Sequence, residues 1–128
     1  MAFITILLVL VGIAGGTLSF KANSALPGES LYPYKLQVNE RVESFVAHTD
    51  DAKARWHLMM LKERLREARQ LAKTGRLDSG SQHAVTENIQ EHVKSVTALV
   101  HSLQARGLHS EASLLASAIH QTLSVETQ

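Results

Sequence analysis

From Ala2 to Phe20 the chain runs for 19 residues without a charged side chain, and Phe3, Ile4, Ile6, Leu7, Leu8, Val9, Leu10, Val11 and Ile13 stand almost edge to edge. A helix rises about 1.5 Å per residue, so a run of this length just covers a hydrocarbon core of roughly 30 Å. Residues 1–25 are therefore expected to be a signal-anchor or a signal peptide, with membrane contact through residues 2–20. Cleavage is the alternative to a retained anchor, because Ala22, Asn23 and Ser24 offer a small-residue site ahead of Ala25, and Ala25 is a second place to cut. Against cleavage, no Lys or Arg precedes the run and Lys21 stands directly after it. Flanking charge places the N-terminal amine before the run and Lys21 and Lys35 after it, which by the positive-inside rule points the C-terminal part to the cytoplasm.

The remainder of the chain is small. Of 128 residues about a hundred lie beyond the run, enough for one module. With 13 Lys and Arg against 12 Asp and Glu, the chain lacks the basic excess of a protein that lives on phosphates, so nucleic acid is not an expected partner. The absence of cysteine excludes disulfides, thiol catalysis and thiolate metal sites.

Periodicity predicts an all-α domain over residues 26–128. Pro27 and Gly28 mark a turn, and Pro33 forces Tyr32 from helical geometry while starting a first helix. In that helix Leu31, Tyr34, Val38, Val42, Phe45 and Val46 recur at three- and four-residue steps, which predicts a buried face. Thr49 or Asp50 caps a second helix over 52–73 that stops at Gly75. Its seam is expected along Leu58, Leu61, Leu65, Ala68 and Ala72, broadened by Trp56, Met59 and Met60. After the break at residues 78–81, a third helix carries Val85, Ile89, Val93 or His92, Val96, Val100 and Leu103 and ends at Gly107. Ser110 then caps a fourth, with Leu114, Leu115, Ala118, Ile119, Thr122 and Leu123 as its stripe. The expected architecture is an N-terminal membrane or signal helix and then a small antiparallel bundle of about four helices.

The halves of the domain differ in charge. Residues 21–76 hold 11 basic and 7 acidic side chains, and residues 77–128 hold 2 and 5. Helices one and two docking on three and four with attractive rims is the plain reading. Lys62, Arg66, Arg69 and Lys73 nevertheless form one ridge, a candidate partner-facing surface for an acidic protein or an anionic lipid, although Glu63 and Glu67 dilute its field.

The stretch ALPGESLYPYK at 25–35, then VNERV, then DAKARWHLMMLKERLREARQLAKTGRL up to Leu77, resembles an uncharacterised bacterial family of envelope proteins. That family opens on an ALPG-x-x-LYP-x-K box behind a signal or membrane segment. Ala25, Leu26, Pro27, Gly28, Leu31, Tyr32, Pro33 and Lys35 match the box, and Ala52, Ala54, Arg64, Leu65, Glu67, Ala68 and Leu71 match the family's next helix. A departure falls at Met60 to Lys62, where members often carry an Ala and an Arg pair. The resemblance covers about 50 residues and implies location and architecture, not chemistry. It places the C-terminal domain outside the cell membrane, or secreted if the leader is cut, and on this point it overrides the charge count. Some members look like the outer portions of anti-sigma regulators. Physically, the box suits a clamp at the membrane exit, with Leu31, Tyr32 and Tyr34 packing on the bundle or sitting in the interfacial zone.

Seven histidines, at 48, 57, 83, 92, 101, 109 and 120, raise the question of a metal. No two stand three or four apart, and nine-residue steps put His83, His92 and His101 on changing faces, so no metal site is expected. His83, Glu87 and Glu91 share a ridge that reads as solvated. Glu40 with Glu43, and Glu63 with Glu67, lie beside arginines and read as ion-pair partners, not as a poised acid and base. With no phosphate loop and no nucleophile elbow, no enzyme, cofactor or small-molecule substrate is expected. The leading function is a membrane-tethered or secreted envelope module for structure or protein interaction, through an unknown protein partner or self-association. The alternative is the outer sensory part of an anti-sigma-type system. Such a sensor needs a cytoplasmic effector, and with Met1 alone ahead of the run, regulation would pass through a second protein.

Overall fold

The computed structural model describes residues 21–126, all of whose regular elements are helical. The expected membrane or signal segment at 2–20 lies outside the described residues; among those described, no helix is long and apolar enough to cross a membrane. The helices are α1 (Tyr32–Tyr34), α2 (Glu40–Val46), α3 (Asp50–Lys73), α4 (Ser79–Ala105) and α5 (His109–Glu126), with a π turn at Lys35–Asn39 between the first two. The described residues fall into two compact units, one up to Phe45 and the other from Val46 onward.

In the first unit, residues 21–35 fold back on themselves. Gly28 takes a left-handed φ of 91°, the Leu26 N–H donates to the Glu29 carboxylate at 2.9 Å, and the Tyr32 N–H donates to the Glu29 carbonyl at 3.0 Å. That last bond carries the turn straight into α1, so Tyr32 is helical despite preceding Pro33, against the expectation that proline would exclude it.

The predicted apolar face of this first helix is also corrected. Tyr32, Lys35 and Glu40 are the buried positions, whereas Val38, Val42, Phe45 and Val46 face solvent. The cause is the π turn: the Glu40 N–H reaches back five residues to the Lys35 carbonyl, and each widened turn takes up an extra residue and rotates everything after it. A 3.6-residue period projected through 35–39 therefore names the wrong side.

In the second unit, α3, α4 and α5 pack against one another in an antiparallel bundle. Thr49 caps α3 by accepting from the Ala52 N–H at 3.1 Å, and Asp78 caps α4 by accepting from the Ser81 N–H at 2.8 Å. Gly75 and Gly107, at φ 65° and 76°, end α3 and α4. At each end the N–H after the glycine returns to a carbonyl five residues back, Arg76 to Leu71 at 2.8 Å and Leu108 to Leu103 at 2.9 Å. These short reversals turn each helix against its predecessor, and an ion pair between Arg106 and Asp50 joins the end of α4 to the start of α3. Its arginine belongs to the acidic half and its aspartate to the basic half, the reverse of the rim pairing expected from the charge totals. The fourth predicted helix starts earlier than expected: the Ala112 N–H donates to the Leu108 carbonyl, so Ser110 lies inside the first turn of α5 and is not its cap.

A core of Ala54, Val96 and Leu115 is surrounded by Leu58, Leu99, Val100, Leu103 and Ile119. Leu114, expected on the inner stripe of α5, is 72% exposed, since Ala112 and Leu115 take the inward positions. On α3 the burial is rotated from the expected seam. Leu61 is fully enclosed, but Leu58, Leu65 and Ala68 are half-buried and Ala72 is exposed. The more buried ridge is Met60, Arg64, Glu67 and Leu71, at four-three-four spacing, and Met59 faces out. Hydropathy alone assigns an Arg and a Glu to the surface, which is why it sets the seam one ridge away.

Candidate functional site

Three groups of side chains bear on function. The first is the turn that opens the domain. Leu26, Pro27, Tyr32 and Lys35 are buried, Leu31 is half-buried, and Gly28 and Pro33 are exposed. The Lys35 ammonium, 3% exposed, donates to the Ala25 carbonyl at 3.4 Å and stands 6.0 Å from the centre of the Tyr32 ring. The Asn39 side-chain amide donates to the Asn23 side-chain oxygen at 2.7 Å. Both bonds tie residues 35–39 to residues 23–25, so the stretch from Leu26 to Lys35 is a closed clamp.

The second group is the basic ridge of α3. Lys62, Arg66, Arg69 and Lys73 are all exposed, on the side of the helix away from Arg64 and Leu71. Arg66 donates to both carboxylate oxygens of Glu63 at 2.8 and 2.6 Å and to the Gln70 side chain at 3.0 Å. Donating these hydrogen bonds to Glu63 raises the Arg66 pKa further above the ordinary arginine value. Arg66, Arg69, Gln70 and Lys73 line a surface groove of about 280 Å³. Lys62 lies at a separate groove with Leu58, Ala118 and Thr122. The ridge is thus continuous in direction but divided in its surroundings.

The third group escapes the reading of single helices. His57 on α3 and His92 on α4 meet with their Nδ1 atoms 3.0 Å apart, one donating and the other accepting, which requires the accepting ring to be neutral with its proton on Nε2 and forbids both rings from being charged at once. Trp56 stands edge-on to both, with ring centres 4.8 and 5.5 Å away, and its buried indole Nε1 finds no acceptor among the described residues. Spacing within one helix cannot reveal a pair 35 residues apart. The available signal is the tie between His92 and Val93 for one inward position, which His92 takes.

Burial, then His57, then the Arg64 guanidinium push the His92 pKa down to about 4. Burial also lowers that of His57, against the opposing pull of Glu91. The unfolded chain accepts protons near pH 6.5 that the folded chain refuses, so stability is full above that value and falls as pH drops toward about 4. We expect the urea midpoint to decline between about pH 7 and pH 5, and His92→Gln to flatten that decline. Trp56, the chain's single tryptophan, gives the readout, because protonated imidazoles at this range quench indole emission. An unchanged slope in His92→Gln would assign the acid sensitivity elsewhere.

Other histidines stay apart. His83 pairs with Glu87 at 3.4 Å on an exposed face, and among the described residues no group of three or more His, Asp or Glu side chains is placed to hold a metal ion. A groove of about 300 Å³ between the starts of α3 and α5 has a floor of Ala54, Leu58, Leu103 and Leu115 and carboxylates at Asp50, Asp51 and Glu111. Asp51 is paired with Arg55 and Asp50 with Arg106, which leaves the groove little net field.

Neither the curated proteins nor the solved structures provide a match to this chain. The family model described as a domain of unknown function, DUF5667, matches residues 24–126, from the opening clamp through α5, and the chain belongs to that family.

Proposed function

We propose that the chain is a membrane-tethered, or after cleavage secreted, helical module of the bacterial cell envelope, which presents its bundle surface to a protein partner. The observation that carries this reading is the junction of two features: an uncharged run at 2–20, and a clamp that ties Lys35 back to Ala25 immediately beyond it. A chain leaving a bilayer gains from such a clamp, because it fixes the course of the backbone within a few residues of the membrane. The ridge of Lys62, Arg66, Arg69 and Lys73 is the proposed partner-facing surface, exposed along its whole length.

A topology assay tests the location. The full chain fused at its C-terminus to alkaline phosphatase, which folds only outside the cytoplasm, is expected to be active, and the same fusion to a cytoplasm-only fluorescent reporter is expected to be dark. The opposite pattern would reverse the orientation and favour the charge count of Lys21 and Lys35. A second reading, the outer sensory part of an anti-sigma-type system, is favoured by the His57–His92 pair, which couples protonation to the packing of α3 on α4.

A further inference from the structure

We propose that the apolar ridge of Val38, Val42, Phe45 and Val46 docks on the surface of a lipid bilayer, an inference that rests on the membrane reading of residues 2–20. Single apolar residues on a protein surface are ordinary, but here four share one ridge, with Val42 60%, Phe45 78% and Val46 67% exposed. The π turn at Lys35–Asn39 creates this arrangement: it places Glu40, five residues on, on the same inward side as Lys35, so that Val42, Phe45 and Val46 face outward. Exposing apolar surface at the cost of burying an ammonium and a carboxylate is unfavourable in water alone. It becomes favourable where the outward face meets hydrocarbon.

The position of the ridge identifies the occupant. Asn39, next to Val38, is bonded at 2.7 Å to Asn23, three residues beyond Phe20, where the uncharged run ends. If Phe20 reaches the interface, that bond holds the start of the ridge beside the point where the chain leaves the membrane. Lys21 and Arg41 are exposed, and both complement anionic headgroups. With Phe45 on its apolar ridge, Arg41 at its margin, Glu40 turned inward and Glu43 half-buried, α2 has the amphipathic form that lies in the interfacial plane.

The chain has no cysteine, so Val42→Cys, Phe45→Cys and, as an exposed control on α4, Gln82→Cys each give one labelling site on the full chain. Each variant carries a dye and is reconstituted into vesicles of phosphatidylcholine and phosphatidylglycerol with nitroxide-bearing lipid. Far-UV circular dichroism confirms helix content. The expected result is quenching several-fold stronger at positions 42 and 45 than at 82. Equal quenching at all three positions, or none at 42 and 45, overturns the proposal. Protection of 42 and 45 from an aqueous quencher without lipid quenching overturns it in favour of a second copy on the ridge. Alkaline carbonate extraction of the same vesicles tests the anchor separately. Release of the chain by carbonate, after ridge quenching has been seen, removes the anchor and leaves the docking face, whereas resistance to carbonate without ridge quenching leaves the anchor and removes the face.

Discussion

Glu67→Ala is expected to lower the stability of the domain by about 3 to 5 kcal/mol, the cost of leaving a buried charge without its counterpart. The Glu67 carboxylate lies 3.3 Å from the Arg64 guanidinium, and both side chains are 0% exposed. Against a total that is typically about 5 to 15 kcal/mol, such a loss removes a large share of the stability of the folded state. The informative control removes both charges. Arg64→Met with Glu67→Leu keeps similar volume in apolar form, and buried ion pairs replaced in this way are commonly neutral or more stable by about 1 to 4 kcal/mol. Urea midpoints of the single and double variants, read by circular dichroism, close the cycle. A loss below about 1 kcal/mol in Glu67→Ala would be the behaviour of a solvated pair and would contradict the burial of this ridge.

Leu61→Ala carries the second large effect, about 2 to 5 kcal/mol, because Leu61 is fully enclosed and its removal leaves a cavity as well as losing transfer energy. Leu65, at the neighbouring seam position, is half-buried, so Leu65→Ala is expected to cost clearly less. Arg66→Ala and Arg69→Ala, on the exposed ridge, should stay within about 1 kcal/mol. The order Leu61, Leu65, Arg66 in thermal or urea denaturation therefore tests the facing of α3, and an inverted order would turn the helix around. If the arginine variants fold normally but lose a membrane partner that the unaltered chain captures, the ridge is the interaction surface.

The helical class, the three long helices and several of their ends could be read from the residues, while the helices expected to begin after residue 81 and at Ser110 start earlier, at Ser79 and His109. Thr49 beside an acidic first turn, Asp78 ahead of Ser79, and Gly75 and Gly107 past the helix ends act within one turn of chain, so each is decided by its immediate neighbours. The exposure of Lys62, Arg66, Arg69 and Lys73 was legible for a related reason: four long cationic side chains on one line of a helix are costly to bury together.

Other features needed the folded chain. Lys35 is buried because its ammonium meets a carbonyl ten residues earlier, and Arg64 with Glu67 because each neutralises the other in an enclosed setting. Hydropathy assigns all three outward, since it values a side chain without its partner. The His57–His92 contact joins positions 35 residues apart on two helices, and no periodicity within either helix encodes the distance between them. The exposed ridge from Val38 to Val46 turns on the bond from Glu40 back to Lys35, which shifts the register of everything after it. By itself the sequence determined an uncharged run at 2–20, long helices with most of their stops, and a charged surface line, all set by local chemistry. Which faces are buried, which charges are paired and where the histidines meet were decided by tertiary structure, because those depend on contacts that exist only once the helices have packed.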